Sequence, residues 1–232
     1  MTRTLVLFDI DGTLLLTAGA GRRAITAALA DLVENSAAWH RVRFDGKTDP
    51  QIVRELLLDS GHDGAEDPEL IAEICERYVT LLEAELARTP GATRLLPGVA
   101  ALLDRLEACT GVVLGLLTGN VAPGAALKLR SGGLDPGRFR VGAFGSDSAH
   151  RHDLPPIAAR RAESLFGRTP GGREVVIVGD TPADVTCGVG IGARAVAVAT
   201  GAYGVEDLRA AGAHAAFPDL ADTDAVLRAL LD

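Results

Sequence analysis

Six short apolar runs, separated by amphipathic stretches, constrain this chain more than any other feature. Residues 4–8, 111–117, 139–144, 174–178, 195–199 and 215–218 are short, apolar and bounded by turn residues, so they read as buried strands. Between most of them lie Ala/Leu-rich helical segments. Residues 99–109 are entered through Pro97-Gly98, and residues 122–131 carry Pro123 in the first turn and stop at Gly132-Gly133. Strand and helix in repetition imply a mainly parallel sheet covered on both faces, a doubly wound, Rossmann-like α/β core.

One interval breaks the rhythm. From residue 17 to 92 apolar residues recur at spacings of three and four without a convincing strand, giving expected helices at 22–34, 50–60 and 68–88. The flanks, "TAGAG" and "RTPGATRLLPG", have the composition of hinges. The expected organisation is therefore a core of residues 1–16 and 93–232, with an all-helical domain of residues 17–92 inserted after the first strand.

At 232 residues such a chain buries roughly 70% of its unfolded surface without metal or disulfide staples. Cys75, Cys109 and Cys187 are odd in number and in no metal spacing, which fits packed thiols in a reducing compartment. Arg3 is the one charged residue before the first strand, and no apolar run approaches a membrane span, so a cytoplasmic protein is expected. A net charge of −8 argues against nucleic acid or an anionic membrane as partner. A small anionic substrate stays open if a cation sits in the site, and the chain is expected to act as a monomer or homodimer.

The chemistry gathers where strands end. Asp9 and Asp11 follow the first strand, Thr118-Gly119-Asn120 the second, and Gly179-Asp180 with Asp184 the fourth. In an open parallel sheet these positions converge beyond the carboxyl edge. Carboxylates gathered there repel one another and call for a divalent cation; hard oxygen ligands suit Mg2+.

On the segments "FDIDGT" (8–13), "LLTGN" (116–120) and "VIVGDTPADV" (176–185), the sequence resembles the haloacid dehalogenase-like hydrolase superfamily, most of whose members are Mg2+-dependent phosphatases. The insert resembles that superfamily's mobile cap. The resemblance implies that Asp9 attacks phosphorus to give an aspartyl-phosphate, and that Asp11 protonates the leaving alcohol and later activates water. It implies a metal held by Asp9 and Asp180 through their side chains and by Asp11 through its carbonyl, with Asp184 on metal-bound water or neighbouring groups. Thr118 and the amides of Gly119 and Asn120 would hold phosphate oxygens, and Gly12 would let the backbone turn closely around them.

Three positions stay open. The superfamily's cationic residue has no obvious counterpart, because the region reads "GSDSAHRHDLPPIAARRA"; Arg151 and Lys128 are both candidates. His150 and His152 flank Arg151, but a lone HxH reads as a solvated loop or a secondary phosphate contact rather than a zinc site. In the insert, "FDGKTDPQIV" (44–53) reads either as a turn with Asp49 capping a helix or as a specificity loop in which Lys47 meets the leaving group, Arg22 being a second candidate. The expected activity is hydrolysis of a small phosphorylated metabolite such as phosphoglycolate. A sugar phosphomutase would retain both Asp9 and Asp11. A phospho-accepting receiver would lack the insert, and a silent binding protein would have little need of all four acidic positions.

Overall fold

The computed structural model describes residues 3–33 and 38–232. Strand β1 (Thr4–Phe8) is followed by a two-residue strand β2 (Leu15–Leu16), helices α1 (Ala20–Ala28), α2 (Ala38–Arg41), α3 (Asp49–Asp59) and α4 (Pro68–Arg88), and a second two-residue strand β3 (Arg94–Leu95). Helices and strands then alternate through α5 (Val99–Ala108), β4 (Val112–Leu117), α6 (Ala122–Ser131), β5 (Val141–Ala143), α7 (Leu154–Arg161) and α8 (Glu163–Phe166). The chain ends with β6 (Val175–Gly179), α9 (Pro182–Cys187), β7 (Arg194–Val198), α10 (Val205–Ala210), β8 (Ala215–Phe217) and α11 (Thr223–Leu231).

Six strands form one sheet in the order β5-β4-β1-β6-β7-β8, and every pairing in it is parallel. The pleat divides β1 between two cores. Val6 and Phe8 pack with Val176, Val178, α5, α6 and α11, whereas Leu5 and Leu7 pack with Val175, Ile177 and α7 on the opposite face. Both faces are thus covered, as the continuous apolar runs require. Because the chain steps from β1 outward through β4 to β5 and then returns to β6 on the other side, the switch of direction falls beside β1. A crevice at the carboxyl edge follows there from topology.

The helices between β2 and β3 enclose a hydrophobic cluster of their own, including Ile25, Leu29, Leu56, Leu57, Tyr78 and Leu82, to which the core adds Val121. The insert expected after the first strand is thus seen between β2 and β3, with helices and no strand among its described residues. Its first helix is shorter than the expected 22–34. Gly19, at φ 81, starts the helix early, and beyond Ala28 the amides of Leu32 and Val33 both turn back to the Leu29 carbonyl. Glu34, the expected end, lies outside the described residues. The expected strand 139–144 narrows to β5 because a 3-10 turn, Pro136–Arg138, leads into it and receives the Phe139 amide. The second hinge is also more ordered than its composition suggests, since β3 within it pairs antiparallel with β2 just before the first hinge, Leu15 with Leu95 and Leu16 with Arg94.

Candidate active site

Each acidic motif sits where the sheet places it. The Asp9 amide still bonds the Val178 carbonyl (2.9 Å) and the Thr118 amide that of Ala143 (3.1 Å), so both residues extend the ladder and inherit its rigidity. Asp180 follows the last residue of β6. With Asp9, Asp11, Gly12, Thr118, Gly119, Asn120, Lys128 and Arg151 it lines a cleft of about 380 Å³, roofed by Arg22, Phe44, Lys47 and Tyr78 of the insert.

On one side of the cleft, Asp9, Asp180 and Asp184 each bring a carboxylate oxygen within 4.8 Å of the others, all three side chains being buried. Arg151, 5% exposed, lies 3.2 Å from Asp9 Oδ1 and bonds Asp184 Oδ1. Burial opposes its charge, but Asp184 and Asp9 outweigh that effect and hold it fully protonated. Burial and the neighbouring Asp184 and Asp9 push the Asp180 carboxyl up to about 9. Burial, only partly offset by Arg151, pushes Asp9 up to about 6. Three buried hard-oxygen donors with one arginine between them form a donor set that suits a divalent oxophilic cation. Thr13 donates to Asp180 Oδ1 (3.1 Å) and so fixes that carboxylate.

Asp184 carries two duties. As the third residue of α9 it completes a capping box with Thr181, accepting from the Thr181 amide (3.0 Å) and hydroxyl (2.6 Å) on Oδ2, which leaves Oδ1 for Arg151. Thr181 is the N-cap of α9, and Asp184 is its partner in the box.

On the other side, Asp11 turns away from this cluster. Its Oδ2 accepts from Asn120 Nδ2 (2.8 Å) and Lys128 Nζ (2.7 Å), and Lys128 also donates to Asn120 Oδ1 (2.5 Å). Lys128 is only 4% exposed, whereas the Asp11 side chain is 42% exposed toward the cleft. Burial opposes the lysine's charge, but Asp11, Tyr78 and Asp49 together hold it above the usual lysine range. The two candidate cations thus serve different carboxylates, Arg151 those of Asp9 and Asp184, Lys128 that of Asp11.

The insert loop is docked on the core. The Asp49 amide donates to Gly119 O (2.7 Å), Thr48 Oγ1 donates to Ala149 O (2.7 Å), and Asp49 Oδ2 accepts from the Val121 amide (2.8 Å). Gly119 permits this approach, since a Cβ there would overlap the Lys47 carbonyl. Asp49 does not cap α3 as expected. Thr48 is the cap, accepting from the Gln51 amide, and Asp49 faces the core. Lys47 lines the cleft and pairs with Glu55, so its charge is already shared. Arg22 lies 3.9 Å over the Phe44 ring and lines the same cleft.

The histidines flanking Arg151 are exposed, and all three cysteines are free thiols. Sequence reasoning passed over Thr13, Thr181, Tyr78 and Gly201. The first two were visible as the hydroxyls inside "DGT" and "GDT", but Tyr78 and Gly201 reach the cleft only through tertiary packing. No helix among the described residues is long and apolar enough to cross a membrane.

Comparison with known proteins agrees with this architecture. The chain is 29% identical over 199 residues to a phosphoglycolate phosphatase of Pseudomonas savastanoi pv. phaseolicola, a match covering 85% of this chain and 70% of that protein. The structure of CbbY from Rhodobacter sphaeroides in complex with phosphate superposes with a TM-score of 0.73 at 23% identity, covering 95% of this chain and 96% of that one. A hydrolase from Pseudomonas syringae gives a TM-score of 0.70 at 21% identity, covering 99% and 100%. Likeness at these identities speaks for the fold alone. The model of the haloacid dehalogenase-like hydrolase family matches residues 4–192, most of the chain and every acidic strand end described above, so the chain belongs to the haloacid dehalogenase-like hydrolases.

Proposed function

We propose that this chain is a Mg2+-dependent phosphatase that hydrolyses a small phosphorylated metabolite, phosphoglycolate-like in size, through an aspartyl-phosphate on Asp9. The observation that carries the reading is the division of labour between two aspartates: Asp9 is buried among Arg151, Asp180 and Asp184, while Asp11 is half-exposed on the opposite side of one small cleft. Support for phosphomonoester chemistry comes from family membership and from the phosphoglycolate phosphatase relative.

In this reading the Asp9 carboxylate attacks phosphorus while Arg151 holds it in line and offsets charge on the phosphoryl oxygens. Asp11 gives its proton to the departing alcohol oxygen and afterwards takes one from the attacking water. Thr118 and the backbone of Gly119 and Asn120 cradle the remaining phosphate oxygens. Asp9 and Asp180 would hold the metal, with the Asp11 carbonyl, and Asp184 supports the assembly through Arg151 and Thr181. When bound, Mg2+ neutralises the carboxylates and draws charge from the phosphoryl group.

Residues 17–92 act as the cap and residues 1–16 and 93–232 as the catalytic core, a division supported by the insert's separate hydrophobic cluster and by the pairing of β2 with β3 at its base. Arg22 and Lys47 read the leaving group from the cap side. The free thiols fit a cytoplasmic setting. The deciding experiment is hydrolysis of a phosphorylated-metabolite panel with and without Mg2+, run beside Asp9→Asn. The variant is expected to fold and to lose at least about a thousandfold in turnover. Wild-type activity that survives exhaustive chelation, or an Asp9→Asn enzyme that retains several per cent, defeats the proposal.

A further inference from the structure

Lys128 is a buried cation that the phosphatase reading above does not use. An ammonium has three N–H donors and no acceptor. One donor bonds Asp11 Oδ2 and one Asn120 Oδ1, and the Tyr78 hydroxyl, brought in from α4, stands beside the ammonium and interacts with it. Two of its three donors are thus committed to Asp11 and Asn120, on the side of the cleft away from Asp9. Asn120 closes the arrangement by donating to both Asp11 Oδ2 and Thr118 Oγ1, each at 2.8 Å.

Both hydrogen bonds to the Asp11 carboxylate fall on Oδ2. Oδ1 receives none from the described residues, so it is the oxygen turned over to proton transfer. A half-exposed carboxylate on a loop otherwise rotates freely about its side-chain bonds, and proton transfer is effective only when donor and acceptor are held in line. The seam is also shared between core and insert. Asp11, Asn120 and Lys128 belong to the core, whereas Tyr78 and the nearby Asp49 come from the docked insert.

We propose that Lys128 is a positioning residue for Asp11: together with Asn120 and the insert's Tyr78 it locks Oδ2 and presents Oδ1 to the leaving oxygen and then to water, without touching the phosphoryl group. The inference rests on the phosphatase reading. In the first half-reaction an Asp9 oxygen bonds to phosphorus, the bond from phosphorus to the leaving oxygen breaks, and the proton of Asp11 passes to that oxygen. In the second, Asp11 takes a proton from water, the water oxygen bonds to phosphorus, and the bond from phosphorus to Asp9 breaks, releasing inorganic phosphate. Lys128 bears on both proton transfers and on neither bond to phosphorus.

A substrate whose leaving oxygen needs no proton separates these roles. With p-nitrophenyl phosphate, rapid-mixing kinetics read the burst of p-nitrophenolate as the first half-reaction and the steady rate as the second, provided release of the nitrophenolate is the faster step. Lys128→Met is expected to keep the burst rate within about threefold of wild type and to lower the steady rate at least about tenfold, the lower end of what general acid–base catalysis contributes. With an alkyl phosphate both half-reactions slow. Arg151→Met, run in parallel, loses the burst itself.

Thermal unfolding verifies that each variant is folded. Should Lys128→Met not fold, the same two rates are read on Lys128→Gln, which keeps a polar end in the buried site. A burst slowed as much as the steady rate places Lys128 on the phosphoryl group and overturns the inference, as does an unchanged steady rate, which leaves it a structural ion pair. If wild-type enzyme itself forms no phospho-enzyme, the phosphatase reading fails and the inference falls with it. A wild-type burst paired with an unsplit variant removes only the role of Lys128.

Discussion

Gly12 shows how closely the residue scale couples to the site. It stands at φ 79, and the space that a Cβ would occupy is filled by the Asp180 carboxylate, while its carbonyl accepts from Thr200 Oγ1. The glycine in this motif thus makes room for a carboxylate from the neighbouring strand, a closer demand than the phosphate approach that the motif alone suggested. Gly12→Ala must both strain the backbone and displace Asp180, so a loss of ~2–4 kcal/mol in urea unfolding is expected, with weakened Mg2+ binding measured by calorimetry. Gly133 provides the control, because it has φ 78 and nothing within 4 Å of the added methyl. There Ala costs only the left-handed backbone, about 1–2 kcal/mol, and turnover stays at the wild-type level. Equal loss of Mg2+ affinity in both variants would show that Asp180 does not depend on the gap at Gly12. Charge follows the same local logic. Arg151 is the sole cation paired with Asp9 and Asp184 among the described residues, so Arg151→Met should damage every substrate by a similar factor, measured as kcat/KM across aryl and alkyl phosphates.

At the scale of elements, the loop before α3 is where insert meets core, and two of its residues make separable predictions. Burial, partly offset by Lys128, pushes the Asp49 carboxyl from 3.8 up to about 6. The folded state therefore binds this proton more tightly than the unfolded chain. The stability it adds is complete below the unfolded value and is lost as pH rises through about 6. Asp49→Asn keeps an acceptor for the Val121 amide but cannot titrate. Its unfolding free energy is expected to lose this pH dependence between about pH 4 and pH 7, and to exceed wild type by ~1–3 kcal/mol at the upper end. A variant that tracks wild type across that window would place Asp49 in water rather than against the core. Lys47→Ala should instead raise KM for the physiological substrate and leave p-nitrophenyl phosphate unaffected, since no leaving-group contact is lost there. Because Lys47 is paired with Glu55, Glu55→Gln tests the same contact by freeing the charge.

This loop also marks where sequence ceases to be readable. Helix α4 and strand β1 match their expected spans of 68–88 and 4–8 residue for residue, because apolar periodicity is a local property. The role of Asp49 is not local. Asp before Pro at a helix start reads as a cap, yet Thr48 is the cap and Asp49 accepts from the amide of Val121, the residue before α6, far away in sequence. Strands β2 and β3, two residues each, carry no period to detect and exist only because the chain leaves and re-enters the insert side by side. Within the site, the acidic strand ends could be read from order alone. Arg151 and Lys128 could not be apportioned, because which carboxylate each meets depends on helix placement and rotamer rather than on spacing.

For the whole molecule, the carboxyl edge concentrates charge that folding alone does not favour. Asp9, Asp180 and Asp184 are each under a tenth exposed and, among the described residues, pair with no cation but Arg151. Any cation that binds the folded state and not the unfolded one must then stabilise the fold by mass action, by about 2.7 kcal/mol at a hundred times its dissociation constant. For a chain of this size that corresponds to a rise in Tm of roughly 5–10 °C, measured by scanning calorimetry on adding Mg2+. Ca2+, which takes more and looser ligands, should raise Tm as well while inhibiting turnover, separating occupancy from catalysis. Asp180→Asn removes a carboxyl whose ionisation burial and the neighbouring Asp184 and Asp9 oppose, but retains an oxygen for Thr13. It is expected to be more stable than wild type in metal-free buffer, to show little further rise with Mg2+, and to be nearly inactive. A wild-type Tm indifferent to Mg2+ would mean that the cluster is neutralised by Arg151 and protonation instead. An Asp180→Asn variant less stable than metal-free wild type would show that the carboxylate is held by its hydrogen bonds more strongly than it is repelled.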